Sequence, residues 1–238
     1  MKITVRSRKH SVSSARACYP ERKIYSAREE DPYEEYTGEH DVYEDVWDSI
    51  KEIDQEFTSE NTSINAKNLP ALFHLVTFEP GTVNVDYGGG RFDNVAEYLT
   101  QYDVINMVLD PFNRSKKHNR EVINLVREHG GADTATCSNV LNVIKEPENR
   151  LGVLENMRKI VKPGGKIYIT VYEGTGKSNE GKTKSGYQLN RKTADYMDEI
   201  QQVFPNATRK GKLITAINDG VVGDVAASIL YDDSLIFI

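Results

Sequence analysis

Between residues 83 and 217 the apolar positions fall into short blocks whose spacing switches repeatedly between strand-like and helical. Val83, Val85 and Tyr87 make a short run that ends at a glycine cluster, and a helix is predicted over 94–102. A second strand is predicted over 103–110 and a helix over 119–129, where Val122, Ile123, Leu125 and Val126 repeat at helical spacing. Residues 133–144 read as a strand running into a turn. Leu151, Leu154, Met157, Ile160 and Val161 then give a helix over 148–161, stopped by Lys162-Pro163-Gly164-Gly165 before a strand over 166–172. Residues 174–188 are polar and glycine-rich, which predicts a loop, and Tyr196, Met197, Ile200, Val203 and Phe204 predict a helix over 193–204. Strand formers return over 212–217 and 234–238. The order strand, helix, strand, repeated, predicts an α/β domain with a largely parallel sheet.

Upstream, Leu69, Leu72, Phe73 and Val76 predict a short helix over 68–76, with Pro70 in its first turn. Val42, Val46, Trp47, Ile50, Ile53 and Phe57 keep an apolar stripe through a very acidic stretch, which predicts a helix over 41–57 packed on the core by that stripe. The division expected is an N-terminal extension over 1–65 and one α/β domain over 66–238.

Charge adds a second layer. Thirty Lys and Arg against 36 Asp and Glu leave a net charge of −6, but the two signs are segregated. Lys2, Arg6, Arg8, Lys9, Arg16, Arg22 and Lys23 face only Glu21 in the first 23 residues, whereas 29–60 is acidic with Lys51 as its one Lys or Arg. The acidic block reads as a solvated face, a mask for basic surface elsewhere, or the site of a protein partner. A hydrophobic content of 38% supports a packed core, and no run approaches the roughly 20 apolar residues of a membrane span. A cytoplasmic location and no membrane partner are the corresponding expectations. Cys18 and Cys137 are too few for a disulfide framework and lack zinc-ligand spacing, so no metal is expected.

The chemistry concentrates where strands end. Asp86-Tyr87-Gly88-Gly89-Gly90 places an acid and a glycine turn after the first strand, and Asp110 closes the second. The dinucleotide fingerprint requires a further glycine at position 93, which is Asp93, so nicotinamide and flavin cofactors are disfavoured. Taken with Asp133, Val140-Leu141 and Val161-Lys162-Pro163-Gly164-Gly165-Lys166-Ile167-Tyr168, these motifs resemble, in order, those of class I S-adenosylmethionine-dependent methyltransferases. Within that family the likeness is to small proteins carried by phages and mobile elements. The resemblance spans about residues 80–175.

It implies a Rossmann-like open twisted sheet with S-adenosylmethionine as cofactor. Gly88, Gly89 and Gly90 would pass under the methionine part, Asp86 would face the ammonium or its water, and Asp110 would take the ribose hydroxyls. Phe112 would stack on adenine, and Cys137, Ser138 and Asn139 would border the methyl group. The plainer reading makes the two acids caps, Phe112 core and Cys137 a small buried hydrophobe. One departure stands out. Between Asp110 and Thr134 there is room for one helix but not for the family's third strand, whose terminal acid holds the adenine amino group.

Two basic segments would flank such a site, one with Arg114, Lys116 and Lys117, the other with Lys182 and Lys184, and they suggest a nucleic acid or other polyanionic substrate. A rival motif overlaps the second. Gly176-Lys177-Ser178-Asn179-Glu180-Gly181-Lys182-Thr183 fits the phosphate-binding G-x-x-x-x-G-K-[ST] pattern and would make a P-loop nucleotide hydrolase. A P-loop must run into a helix, however, and Lys184-Ser185-Gly186-Tyr187-Gln188 is polar and broken by glycine. The third alternative is a non-catalytic binding protein of the methyltransferase fold.

Overall fold

The computed structural model describes residues 50, 56–57, 68–183 and 186–220. Its strands are β1 (Val83–Tyr87), β2 (Ile105–Leu109), β3 (Ala132–Ser138), β4 (Val161–Thr170), β5 (Asn179–Thr183), β6 (Gly186–Asn190), β7 (Thr208–Lys210) and β8 (Leu213–Ile217). The α-helices are α1 (Leu72–Leu75), α2 (Asn94–Thr100), α3 (Lys116–Glu128), α4 (Pro147–Ile160) and α5 (Met197–Val203), with 3-10 turns at Leu141–Val143 and Thr193–Tyr196.

Six strands form one sheet in the order β2-β1-β3-β4-β8-β7. β2, β1, β3 and β4 run parallel, while β8 pairs antiparallel with β4, and β7 with β8. This is the Rossmann-like open sheet that the resemblance implies, and the strand formers of 212–217 supply β8 in its antiparallel finish. The strand expected over 234–238 lies outside the described residues, as does the extension over 1–65 apart from Ile50, Glu56 and Phe57. Ile50 and Phe57 both pack against the main core, as the apolar stripe predicts. Phe57 stacks on Tyr187 with ring centroids 5.9 Å apart.

The sheet separates two apolar clusters. Val85, Tyr87, Leu109, Ala135, Cys137, Ile167 and Ile169 join residues of α3, α4 and α5 in the larger one. Leu72, Phe73, Val95 and Leu99, from α1 and α2, gather with Phe78, Val104 and Tyr168 in the smaller one. Strands covered on both faces tolerate few solvated positions, and all five residues of β1 are buried.

The polar residues of β1 are therefore satisfied within the sheet. Thr134 Oγ1 donates to Asn84 Oδ1 at 2.7 Å, and Asn84 Nδ2 reaches Asn106 Oδ1 at 2.6 Å and Thr136 Oγ1 at 3.1 Å.

Among the described residues β2 is an edge strand, and α3 is the only regular element between it and β3, so the third strand that the resemblance implies is missing there. Its place is partly taken by side chains. Ile105 N–H donates to Thr82 O, and Leu109 O accepts from Gly88 N–H, so these two positions turn toward β1. The alternate positions, Val108 and Asp110, then face outward. There His118 Nε2 donates to Val108 O at 2.9 Å, while the Asn119 side-chain amide accepts from Asp110 N–H at 3.1 Å and donates to Asp110 O at 2.9 Å. Two residues at the start of α3 thus take up three of the backbone groups, Val108 O, Asp110 N–H and Asp110 O, that an adjacent strand would otherwise pair.

Two local expectations fail. The helix over 68–76 is confined to Leu72–Leu75, because Pro70 disfavours helical geometry before it and Val76 is already extended. The loop expected over 174–188 contains an antiparallel hairpin, β5 with β6, and buries Tyr187 and Leu189.

Candidate functional site

The chain moves from β1 to β2 on one side and then to β3 on the other, so the carboxyl end of β1 is a topological switch point of the sheet. The glycine turn stands there. Gly88 has φ +73° and Gly90 φ +80°, left-handed conformations that residues with a Cβ rarely adopt. Gly88 N–H donates to Leu109 O at 2.8 Å and Gly90 N–H to Asp110 Oδ2 at 2.9 Å, which fixes the turn to the end of β2. The need for glycine at 88 and 89 comes partly from inside the protein. A Cβ on Gly88 would lie 2.5 Å from Val140 Cγ2, and one on Gly89 would collide with the Asp86 carboxylate.

Asp86 sits beneath the turn and is 2% exposed. Its Oδ1 accepts from Thr136 Oγ1 at 2.9 Å. Burial raises its pKa from 3.8 to about 7, the Thr136 hydrogen bond and Arg114 opposing and Asp110 reinforcing the shift. The carboxyl therefore belongs to the protein's interior.

Asp110 is equally buried, and its carboxylate is heavily engaged. Oδ1 accepts from Phe112 N–H and Asn113 N–H, both at 2.9 Å, while the Asn113 side-chain amide lies 3.3 Å from Oδ1 and 3.2 Å from Oδ2. This is an Asx-type turn closed by Pro111, joined to the glycine turn through Gly90. Phe112 is half-buried.

Arg114, expected to face a polyanion, instead clasps the glycine segment. Its Nε donates to Gly90 O at 2.8 Å, and its Nη2 to Phe92 O at 3.0 Å and Asp93 Oδ1 at 2.8 Å. A guanidinium so committed braces the turn from the side.

At the end of β3, Cys137 is wholly buried in the larger cluster, and burial pushes its thiol far above the ordinary value. Its side chain belongs to the core, as the plainer reading has it. Ser138 Oγ lies 3.2 Å from Thr170 Oγ1. Asn139 takes φ +60° and donates its N–H to Thr170 O at 2.9 Å, so the chain leaves β3 by a sharp left-handed turn that places Val140 against Gly88.

The structure thus gathers Asp86, Gly88, Gly89, Gly90 and Asp110 around one turn, and ties Ser138 and Asn139 to Thr170. Lys116 and Lys117 open α3 and are exposed. Lys182 lies in β5, and Lys184 lies outside the described residues.

The P-loop reading does not survive. Asn179–Thr183, which holds the Lys-Thr of that pattern, is a strand paired with β6 and leads into no helix.

Asn113, His118, Asn119 and Thr136 hold the site together without being anticipated. Asp110-Pro111 is a turn-initiating pair, and reading it so would have pointed to the N–H groups of Phe112 and Asn113 as partners. Among the described residues, no helix is long and apolar enough to cross a membrane.

The sheet and its glycine turn define the architecture. The fold is a Rossmann-like open α/β sheet. No family model matches this chain, and no curated protein sequence matches it. Among solved structures it is similar to PigF with SAH, at 15% identity and a TM-score of 0.43 over 62% of this chain and 54% of that one. It is similar also to the 1,6-didemethyltoxoflavin-N1-methyltransferase of Burkholderia thailandensis with bound 1,6-didemethyltoxoflavin and S-adenosylhomocysteine, at 15% identity and a TM-score of 0.43 over 58% and 71%. The apo S-adenosylmethionine-dependent methyltransferase SibL matches at 14% identity and a TM-score of 0.40 over 57% and 50%. The matched region thus spans about half the length of PigF and of SibL.

Proposed function

We propose that this chain is an S-adenosylmethionine-dependent methyltransferase whose cofactor lies across the carboxyl ends of β1, β2 and β3. The observation that carries this reading is the glycine turn at the switch point, locked to the acid that ends the neighbouring strand. Gly88 to Gly90 would line the methionine part, Asp110 would meet the ribose, and Ser138 and Asn139 would border the sulfonium. Methyl transfer from a sulfonium is an in-line displacement with a good leaving group, so positioning is most of what the protein must contribute. The ordinary requirement for a catalytic acid or base falls on the acceptor, which the site does not specify. Calorimetry with S-adenosylmethionine, S-adenosylhomocysteine and ATP tests the reading. Binding of the first two with little heat from ATP is expected; no binding of either methionine compound refutes it.

The acceptor proposed is a polyanion such as nucleic acid, supported by the exposed pair Lys116 and Lys117 one turn beyond Asp110. Oligonucleotide binding should fall steeply with salt, and a Lys116→Ala/Lys117→Ala variant should flatten that slope. Absence of binding at low salt removes this acceptor class. A second reading, a binding protein of the same fold without catalysis, is favoured by the missing third strand and by the internal engagement of Asp110. It predicts no turnover with any acceptor despite an intact fold.

A further inference from the structure

The Asp110 carboxylate offers about four acceptor positions on its two oxygens. Three are taken at 2.9 Å by the backbone N–H groups of Gly90, Phe112 and Asn113, which belong to turns and cannot leave without unfolding them. The remaining donor is different in kind. The Asn113 side-chain amide straddles both oxygens at 3.3 and 3.2 Å, longer than the backbone bonds, and is carried on a rotatable arm. On its other side Asn113 Oδ1 accepts from Arg91 Nη2 at 3.4 Å, a contact at the surface of the protein. Both of these contacts sit at the long end of the hydrogen-bond range.

We propose that the Asn113 side chain is a built-in competitor for ribose: its amide occupies the one acceptor position of Asp110 that a cofactor hydroxyl can take, and it must swing away for the cofactor to bind. This rests on the reading of the glycine turn as an S-adenosylmethionine site. Asn113 is then an affinity-determining residue whose removal strengthens binding. The backbone N–H of Asn113, which holds the turn, is retained in Asn113→Ala. A residue that merely supports the turn would do the opposite, since its loss loosens the site and weakens every ligand.

The full chain and its Asn113→Ala variant are titrated calorimetrically with S-adenosylhomocysteine and with its 2′,3′-dideoxy analogue. The expected result is binding of S-adenosylhomocysteine roughly fivefold tighter in the variant, the equivalent of about one net hydrogen bond no longer displaced. The dideoxy analogue, having no hydroxyl to place at Asp110, should gain nothing. Unchanged or weaker S-adenosylhomocysteine binding in the variant overturns the competitor role and leaves the cofactor reading standing. An equal gain for both ligands also overturns it, because the gain would then be independent of the diol. If neither protein binds S-adenosylhomocysteine, the cofactor reading fails and the proposal falls with it. Should Asn113→Ala fail to fold, Asn113→Ser replaces it, its side chain being too short to span both oxygens.

Discussion

Replacing Asp86 by Asn isolates the cost of keeping a carboxyl group beneath the glycine turn. Burial raises its pKa from 3.8 to about 7, so the folded protein holds a proton there that the unfolded chain has already lost above pH 4. The stability linked to this site is fully present below about pH 4 and is lost as pH rises through about 7. A shift of about three pH units corresponds to about 4 kcal/mol in full, of which somewhat more than half falls between pH 5 and pH 8. Asn is nearly isosteric with Asp, keeps an Oδ1 acceptor for Thr136 Oγ1, and does not titrate. Urea unfolding of both proteins at pH 5, 6, 7 and 8 provides the measurement, because other titrating groups cancel in the difference. Asp86→Asn should gain on the parent protein by roughly 2 to 3 kcal/mol from pH 5 to pH 8. Parallel stability profiles would refute the reasoning and place the Asp86 carboxylate in contact with water or a compensating charge.

Two further outcomes follow from the same geometry. Asp110→Ala strips the acceptor from three backbone N–H groups and should lower unfolding stability by about 3 kcal/mol, measured by urea denaturation, with cofactor binding lost as well. A variant of unchanged stability would show that the two turns stand without this carboxylate. In a Cys18→Ser background, Cys137 should react with a thiol reagent only as fast as the protein unfolds, since it is fully buried; immediate labelling under native conditions would contradict that placement.

The sheet was largely legible because its signals are local. Parallel strands buried on both faces read as apolar runs, and the helices between them carry strong periodicity, as in Val122, Ile123 and Val126 of α3. The missing third strand was readable from the short segment between Asp110 and Thr134, which has room for one helix. The hairpin β5–β6 was not. Asn-Glu-Gly-Lys-Thr has little strand character, and its partner is anchored through Tyr187 and Leu189 by contacts distant in sequence, which no local pattern records.

At the site, residue types were legible but their partners were not. Asp110 stands at the end of its strand as the motif implies, yet three of its acceptor positions serve the protein's own backbone. Arg114 shows the limit most clearly. A basic residue next to Lys116 and Lys117 reads as part of a cationic rim, and only the three-dimensional path of residues 90–93 turns it into an internal brace. Charge in sequence says that a group exists, whereas the close approach of carbonyls decides whether it faces outward.

In the proposed function the turn at Gly88 to Gly90 holds S-adenosylmethionine with its ribose at Asp110. A crystal structure of the full chain grown with saturating S-adenosylhomocysteine tests it most directly. The ligand is expected across the carboxyl ends of β1, β2 and β3, with a ribose hydroxyl within hydrogen-bond distance of Asp110 and the Asn113 amide rotated off the carboxylate. A ligand bound elsewhere, or a turn left empty at saturating concentration, would contradict it.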